Sequence, residues 1–279
     1  IFKGSKAVAA VGIHTDDHGK RTRVRFDFDR VFVCTGAVQT PTLLHRSRIT
    51  EGIGNSLRMH PMARIAVNFD RPANNPSWGV PSLQIEEFKP HLTLGCSHSS
   101  LPHIALWLTG QAQGKREKLA EWSNMGVYYA AITGSGIGSV RNIPVIDEPF
   151  VRFPLHNQDL ALLGEGLYKL GLALFEAGAK EVFNPIEGGP TITSPDGLDA
   201  IRLGIPQGRV NVTTIHLFSS CPMGEDERQC PVDSWGKLRH VENVYINDAS
   251  ILPNTPGVNP QGTVMAVARR NLAHFLAEA

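Results

Sequence analysis

The sequence lacks an excess of charge of either sign, a long apolar run and closely paired cysteines. Its 27 Lys and Arg residues balance 26 Asp and Glu residues, which leaves a net charge of +1 and no basic stripe for a nucleic-acid groove. No run approaches the roughly 18 apolar residues that a membrane-spanning helix requires. We therefore predict a globular protein that neither binds nucleic acid nor spans a membrane.

The four cysteines stand in dissimilar contexts without a C-x-x-C pair, which argues against a zinc site or a small disulfide scaffold. Cys221 and Cys230 lie nine residues apart, so a bridge between them stays open. A chain of 279 residues can bury a core large enough to be stable without disulfides, so we expect reduced thiols. The sequence also offers no cluster of metal ligands, and we predict no metal site.

The amino-terminal residues IFKGSKAVAAV lack the charged start, the apolar core and the cleavage site of a signal peptide. Because the chain opens with Ile1 rather than Met, we expect it to begin within a longer protein. We leave the localisation open, with the cytoplasm as the default expectation.

The overall pattern predicts an α/β chain, α+β as a whole, with two kinds of domain. Residues 1–60 contain the strand Val31 to Cys34, a tight turn and a short helix, the strand-turn-helix unit of an α/β sheet. Residues 216–279 return to that domain with a short strand, NVYIN, a loop rich in Pro and Gly, and a helix from about Thr263.

Residues 61–215 form the predicted second domain. The runs ARIAVNFD, HIALWLTG and MGVYYAAIT, separated by Pro, Asn, Ser and Gly clusters, are typical of an antiparallel sheet. One helix follows them and ends at Gly178. Its apolar residues recur at helical spacing and predict a core stripe of Leu163, Leu167, Leu170 and Leu174.

Among eleven histidines, His216 is the candidate for chemistry. Most histidines in a globular protein are surface or core residues, and His14, His18, His240 and His274 fit that description. His216 instead ends the β-branched run VNVTTI and begins HLFSSCPMG. Its imidazole is predicted to emerge at a strand end beside a turn of small residues.

Asp248 is the second candidate, because it ends a strand just before a loop and a helix. A carboxylate at the carboxyl end of a parallel strand can accept hydrogen bonds from ribityl or ribose hydroxyls, and the N–H groups of the next helix attract negative charge. The same residue can equally cap a turn, which the spacing alone favours.

Several segments carry a resemblance to a known family. HLFSSCPMG, followed by PVDSWGKLRHVENVYINDASILPNTPGVNPQGTVMAVARR, closely resembles the carboxyl-terminal signature of the glucose-methanol-choline (GMC) oxidoreductases, which are FAD enzymes that oxidise alcohols. VFVCTGAVQTPTLL and GIGNSLRMHP are similar to two further segments of that family. The resemblance implies part of a Rossmann-like FAD-binding domain together with an antiparallel-sheet substrate domain.

The resemblance also implies roles for individual residues. His216 matches the family's catalytic histidine, and Asn259 matches its second catalytic position, which is His or Asn. Ser219 and Ser220 stand where Gly-Thr is commoner. The implied cofactor-binding positions are Thr35, Gly36, Asp248, Ala249, Asn259, Pro260, Gln261 and Thr263.

The implied reaction removes a hydroxyl proton and transfers a hydride from carbon to flavin N5. His216 would take the proton as a general base, and Asn259 would orient the substrate oxygen with its amide hydrogen. The expected partners are a small-molecule alcohol and an electron acceptor, oxygen or a quinone. A hydroxynitrile lyase of the same family and a catalytically silent fragment or partner subunit stay open as alternatives.

The sequence contains no G-x-G-x-x-G turn after a first strand, where a dinucleotide pyrophosphate is held. TGSGIGSV at 133–140 has three glycines but no helical pattern after it, and we interpret it as a plain loop. We therefore expect the chain to be the carboxyl-terminal portion of the enzyme, completed by an amino-terminal portion or a companion chain. Candidates for the substrate pocket, equally explained as core residues, are Trp107, Tyr128, Tyr129 and Phe153.

Overall fold

The computed structural model describes residues 1–75, 77, 79, 83–109 and 115–278, without the side chains of residues 109, 115 and 116. These residues form two compact units. The first unit consists of Ile1–Met59, Gly136–Pro154 and His216–Ala279, and the second consists of His60–Ser135 and Leu155–Ile215.

The secondary structure is a mixture of helices and mostly short strands, as the α/β assignment predicts. In chain order the elements are β1 Phe2–Lys3, β2 Lys6–Ala7, β3 Ala9–Thr15, β4 Arg21–Asp27, β5 Val31–Val33, α1 Gly36–Arg46, β6 Arg58–Met59, β7 Met62–Phe69, β8 Gln84–Ile85, β9 Leu92–Cys96, α2 Leu101–Thr109, β10 Met125–Ile132, β11 Ser139–Arg141, β12 Phe150–Arg152, α3 Asn157–Glu176, β13 Ala179–Phe183, α4 Asp199–Arg202, β14 Val212–Thr213, β15 Leu217–Phe218, β16 Val244–Ile246 and α5 Gln261–Glu278. Short 3-10 segments cover Lys115–Asn124, Pro195–Leu198 and Ala249–Ile251.

The first unit is built around a parallel strand pair, β5 and β16, in the register Val244↔Val31 to Ile246↔Val33. Val33 and Ile246 are buried in a core that also holds Cys221 and Leu238. β5 leads through a turn into α1, which is the strand-turn-helix unit that the sequence predicts. The parallel pairing confirms an α/β arrangement for this unit.

Residues 136–154 belong to the first unit, whereas the sequence-based boundaries assign them to the 61–215 domain. They form the hairpin β11–β12, and its start bridges to Leu57 through Gly138. The Val140 N–H donates to the Gly54 carbonyl at 2.9 Å. Gly54 has a φ of +72°, and a Cβ there would lie 2.6 Å from the Val140 oxygen. Only glycine therefore lets the backbone at position 54 come this close to the backbone at Val140.

The second unit is a six-stranded sheet in the order β13-β7-β10-β9-β8, with β14 also paired to β7. All its pairings are antiparallel, as predicted. Helix α3 packs on one face, where Leu163 and Leu167 are fully buried against strand residues such as Ile65. The predicted leucine stripe is confirmed as core. Asp159 forms a capping box with His156 at the start of this helix.

The segment HIALWLTG is not a strand, and the prediction was wrong there. Its residues 103–109 lie in helix α2, where Ile104 and Leu108 are buried four residues apart and pack in one cluster, and Gly110 lies outside the described residues. A short apolar run fits a strand and a buried helix equally well. Pro102, at the second helical position, marks a helix start.

Candidate active site

Asp248 lies directly after β16, and its carboxylate is engaged within the protein. Oδ1 accepts the Ser250 N–H at 2.7 Å. Oδ2 accepts the Gly36 N–H at 2.9 Å and the Thr40 hydroxyl at 2.5 Å. The carboxylate is buried and joins the end of one parallel strand to the turn that follows the other. The turn-capping interpretation of Asp248 therefore describes its side chain well.

Thr35 and Gly36 form the turn between β5 and α1. Gly36 has a φ of +85°, in the left-handed region that favours glycine, and no heavy atom lies within 4 Å of where its Cβ would be. The Thr35 hydroxyl lies 2.8 Å from that of Thr40. Sequence reasoning missed Thr40, which is fully buried and links both Thr35 and Asp248. The sequence signal that could have identified Thr40 is a hydroxyl-bearing residue one helical turn after Gly36.

His216 immediately precedes β15, which pairs with β6 in the register Leu217↔Met59. The run after it is held against the 3-10 segment Ala249–Ile251. Ser219 N–H donates to the Ala249 carbonyl at 3.3 Å, and Cys221 N–H donates to the Ser250 carbonyl at 2.9 Å. Backbone pairing thus joins the His216 segment to the residues that follow Asp248.

The His216 imidazole is half-buried. Burial lowers the pKa of His216, because an imidazolium loses hydration when it is moved out of water. The ring is therefore neutral near pH 7, which is the form that accepts a proton.

The amino end of α5 is open. Asn259 and Gln261 are exposed, while Pro260 and Thr263 are partly exposed. No heavy atom lies within 4 Å of the Cβ that Gly262 would carry. The first turn of a helix has N–H groups without partners in the helix itself, and this turn contains no acidic residue. An anion or a partial negative charge would be stabilised there.

The described contacts bring together Thr35, Gly36, Asp248, Ala249 and the segment after His216. The pairing of His216 with Asn259 over one substrate oxygen, and the cofactor contacts of the residues at 259–263, stay predictions.

All four cysteines are free, and Cys221 is fully buried. Burial raises the pKa of Cys221 to about 12, so its thiol stays protonated. Within the described ranges, no three His, Cys, Asp or Glu side chains are grouped as metal ligands. In the same ranges, no helix combines the length and apolarity needed to cross a membrane.

Two family models, both described as GMC oxidoreductase, match the chain. The amino-terminal model matches residues 1–62 and the carboxyl-terminal model matches residues 146–268. The chain belongs to the GMC oxidoreductase family. The expectation of a carboxyl-terminal portion alone is corrected by the amino-terminal match.

Relatives of this GMC oxidoreductase support the assignment. An uncharacterised GMC-type oxidoreductase, y4nJ of Sinorhizobium fredii, is 41% identical over 97% of this chain and 54% of its own length. The long-chain-alcohol oxidase FAO1 of Arabidopsis thaliana is 25% identical over 90% of this chain and 36% of its own length. The chain thus spans about half the length, or less, of these relatives.

Solved structures share the fold. Pyridoxine 4-oxidase from Mesorbium loti superposes with a TM-score of 0.71 over 99% of this chain and 56% of its own, at 17% identity. Formate oxidase superposes with a TM-score of 0.70 over 99% of this chain and 58% of its own, at 15% identity. At such identities the likeness shows the fold of a GMC flavoprotein and nothing about the substrate.

Proposed function

We propose that this GMC oxidoreductase oxidises an alcohol with the help of FAD, using His216 as the general base. The observation that carries the proposal is the half-buried imidazole of His216, whose pKa burial lowers, in the segment paired with Ala249 and Ser250. Family membership supports the redox class. The name of one relative, a long-chain-alcohol oxidase, supports an alcohol as substrate.

The residues of the first unit fit a flavin dinucleotide. The open amino end of α5 offers N–H groups and a positive dipole end without a competing carboxylate. The Gly36 turn leaves open space where a side chain would stand. We assign the holding of FAD to Thr35, Gly36, Asp248, Ala249, Asn259, Pro260, Gln261 and Thr263. When bound, FAD supplies the acceptor for the hydride that leaves the alcohol carbon.

Asp248 contributes indirectly in this proposal. Its carboxylate already accepts three hydrogen bonds from Gly36, Thr40 and Ser250, so it fixes the two backbone turns against which a cofactor would lie. A carboxylate that is satisfied inside the protein positions neighbouring N–H groups rather than acting as the main ligand.

The proton of the substrate hydroxyl is assigned to His216. A neutral imidazole nitrogen accepts that proton while the carbon loses its hydride, and the alcohol becomes a carbonyl compound. The Asn259 amide would donate a hydrogen bond to the same oxygen and stabilise the negative charge that develops on it. Each cycle then ends when His216 returns its proton to solvent.

The test uses the FAD-loaded protein and substrate-dependent bleaching of the flavin absorbance without oxygen. His216→Ala and His216→Gln are expected to slow bleaching about a hundredfold or more, since general-base catalysis contributes about that much. His14→Ala, which removes an exposed histidine from β3 in the same unit, is the matched control and should bleach at the normal rate.

Three results would contradict the proposal. Bleaching at the normal rate in both His216 variants would show that His216 is not the general base. Cleavage of a cyanohydrin without bleaching would indicate the lyase alternative. Absence of FAD binding by fluorescence titration would indicate a silent role. Oxygen uptake against quinone reduction then identifies the electron acceptor.

A further inference from the structure

The sheet of the second unit has two unlike faces. On β7, Ala63, Ile65 and Val67 pack in the core under α3. Because strand residues alternate between faces, Arg64 lies on the opposite face. Its cross-strand partner on β10 is Tyr129, which is buried on the same face.

Arg64 is a charge without a counter-ion. Its Nη1 donates to the Thr213 hydroxyl at 2.7 Å, while its Nε is buried and has no acceptor among the described residues. No carboxylate in the described part of the chain pairs with it, and burial lowers the pKa of the guanidinium. Residues 76, 78, 80–82 and 110–114, which the structure does not describe, include no Asp or Glu.

The acids on the same sheet are committed elsewhere. Glu121 accepts from the Asn68 amide at 2.5 Å, and Glu181 pairs with Lys118 at 3.1 Å. Asn68 lies four residues beyond Arg64 on β7. The same surface therefore gives one lysine two carboxylates and leaves the arginine with none. A half-buried cation without an anion, with a buried Nε–H that has no acceptor among the described residues, is costly, which indicates that an external anion completes it.

Arg64 lines a cavity of about 210 Å³ within the second unit. The cavity wall has no acidic residue and offers hydroxyl, imidazole and amide groups beside apolar ones. Among its lining residues are Arg64, Ser97, His98, Trp107, Val127 and Asn211. The volume suits a small charged group, and the polar groups suit an acceptor of hydrogen bonds.

We propose that this cavity binds an oxyanion, a carboxylate or a phosphate group, through Arg64. Nη1 is held by Thr213, and the buried Nε–H is the guanidinium donor that lacks an acceptor among the described residues. A planar guanidinium matches the oxygens of a carboxylate or a phosphate group. The inference goes beyond the proposed function, and the anion site is tested independently of the redox reaction.

Binding is tested first, without any catalysis. The full chain is titrated with inorganic phosphate and, separately, with acetate, and the fluorescence of Trp107 in the cavity wall reports occupancy. A Trp107→Phe variant identifies the part of the signal that comes from this residue. We expect saturable binding of at least one of the two anions, and the stronger one identifies the group.

Variants of Arg64 provide the decisive comparison. Arg64→Gln should weaken binding of the preferred anion about tenfold or more, and Arg64→Lys should weaken it several-fold because the charge stays but the fork is lost. Arg202→Gln, an exposed arginine of α4 in the same unit, is the matched control and should bind normally. Circular dichroism confirms that the variants fold.

The proposal is overturned if neither anion binds saturably to the wild-type chain, or if Arg64→Gln binds as tightly as Arg202→Gln. The redox test of the proposed function is read separately. If no alcohol is oxidised but an anion binds through Arg64, the proposed function fails and the anion site stands. If alcohols are oxidised but no anion binds through Arg64, the anion site fails and the proposed function stands.

Discussion

The two units differ in how they bury their long helices. Helix α3 of the second unit buries nine of its 20 residues, whereas α5 of the first buries one of its 18, Asn271. Met265 and Leu276 on α5 are 64% and 66% exposed. The carboxyl-terminal family model nevertheless extends into α5, to residue 268. The family match therefore includes residues of a helix that is mostly exposed in this chain.

The largest expected effect is a loss of stability on truncating a buried leucine, and it tests this contrast in burial. Leu167→Ala should destabilise the second unit by about 2–5 kcal/mol, because Leu167 is fully buried and leaves a cavity. Leu276→Ala on α5 should change stability by about 0.5 kcal/mol or less, as an exposed substitution does. Urea unfolding followed by circular dichroism measures both.

Leu203→Ala, at a residue 92% exposed in the second unit, is the control for leucine truncation as such. A loss of more than about 2 kcal/mol in Leu276→Ala would show that α5 is packed as tightly as α3, and the comparison would break.

An intermediate effect is expected at Asp248, where the first unit depends on polar contacts. Asp248→Asn can keep one acceptor but turns an amide N–H toward the Gly36 and Thr40 donors. Leaving one buried donor unsatisfied costs about 1–3 kcal/mol, so we expect a stability loss of at least that size. Thermal or urea unfolding measures it against Asp17→Asn, at an exposed turn in the same unit. Equal stability of the two variants would mean that the carboxylate does not hold the turns together.

The smallest effect is the pH dependence of the reaction near neutrality. Burial places the pKa of His216 below the usual value of about 6.5, and only the neutral ring accepts a proton. The rate constant kcat/KM should therefore be nearly flat from pH 7 upward. Below the lowered pKa it should fall about tenfold per pH unit. An acid limb with its midpoint above 6.5, or the same limb in His216→Gln, would exclude His216 as the titrating base.

Sequence reasoning succeeded where local periodicity and turn chemistry agree. The leucines of α3 recur at helical spacing over about three turns, and Gly178 with a φ of +92° stops the run. The unit β5-turn-α1 follows equally from a β-branched strand that meets Gly36. The role of His216 stays a prediction, and the structure places this residue immediately before β15 and not at the end of a strand.

Other features depend on contacts that no local pattern contains. The hairpin β11–β12 joins the first unit because Val140 reaches Gly54, more than 80 residues earlier in the chain. Helix α2 has too few residues for periodicity to separate it from a strand. Arg64 left a faint signal, an arginine between Ala63 and Ile65 in an apolar strand, but only the surroundings show that it lacks a counter-ion.

The buried thiol of Cys221 gives the first unit a built-in reporter. Its sulfur is inaccessible and protonated in the folded state, so alkylating reagents reach it only when the surrounding core opens. Cys96, on β9 of the second unit, is partly accessible and supplies an internal reference. Mass spectrometry of the alkylated peptides would then compare two rates. The modification rate of Cys221 reports the opening of the first-unit core, and the modification rate of the partly accessible Cys96 is the reference.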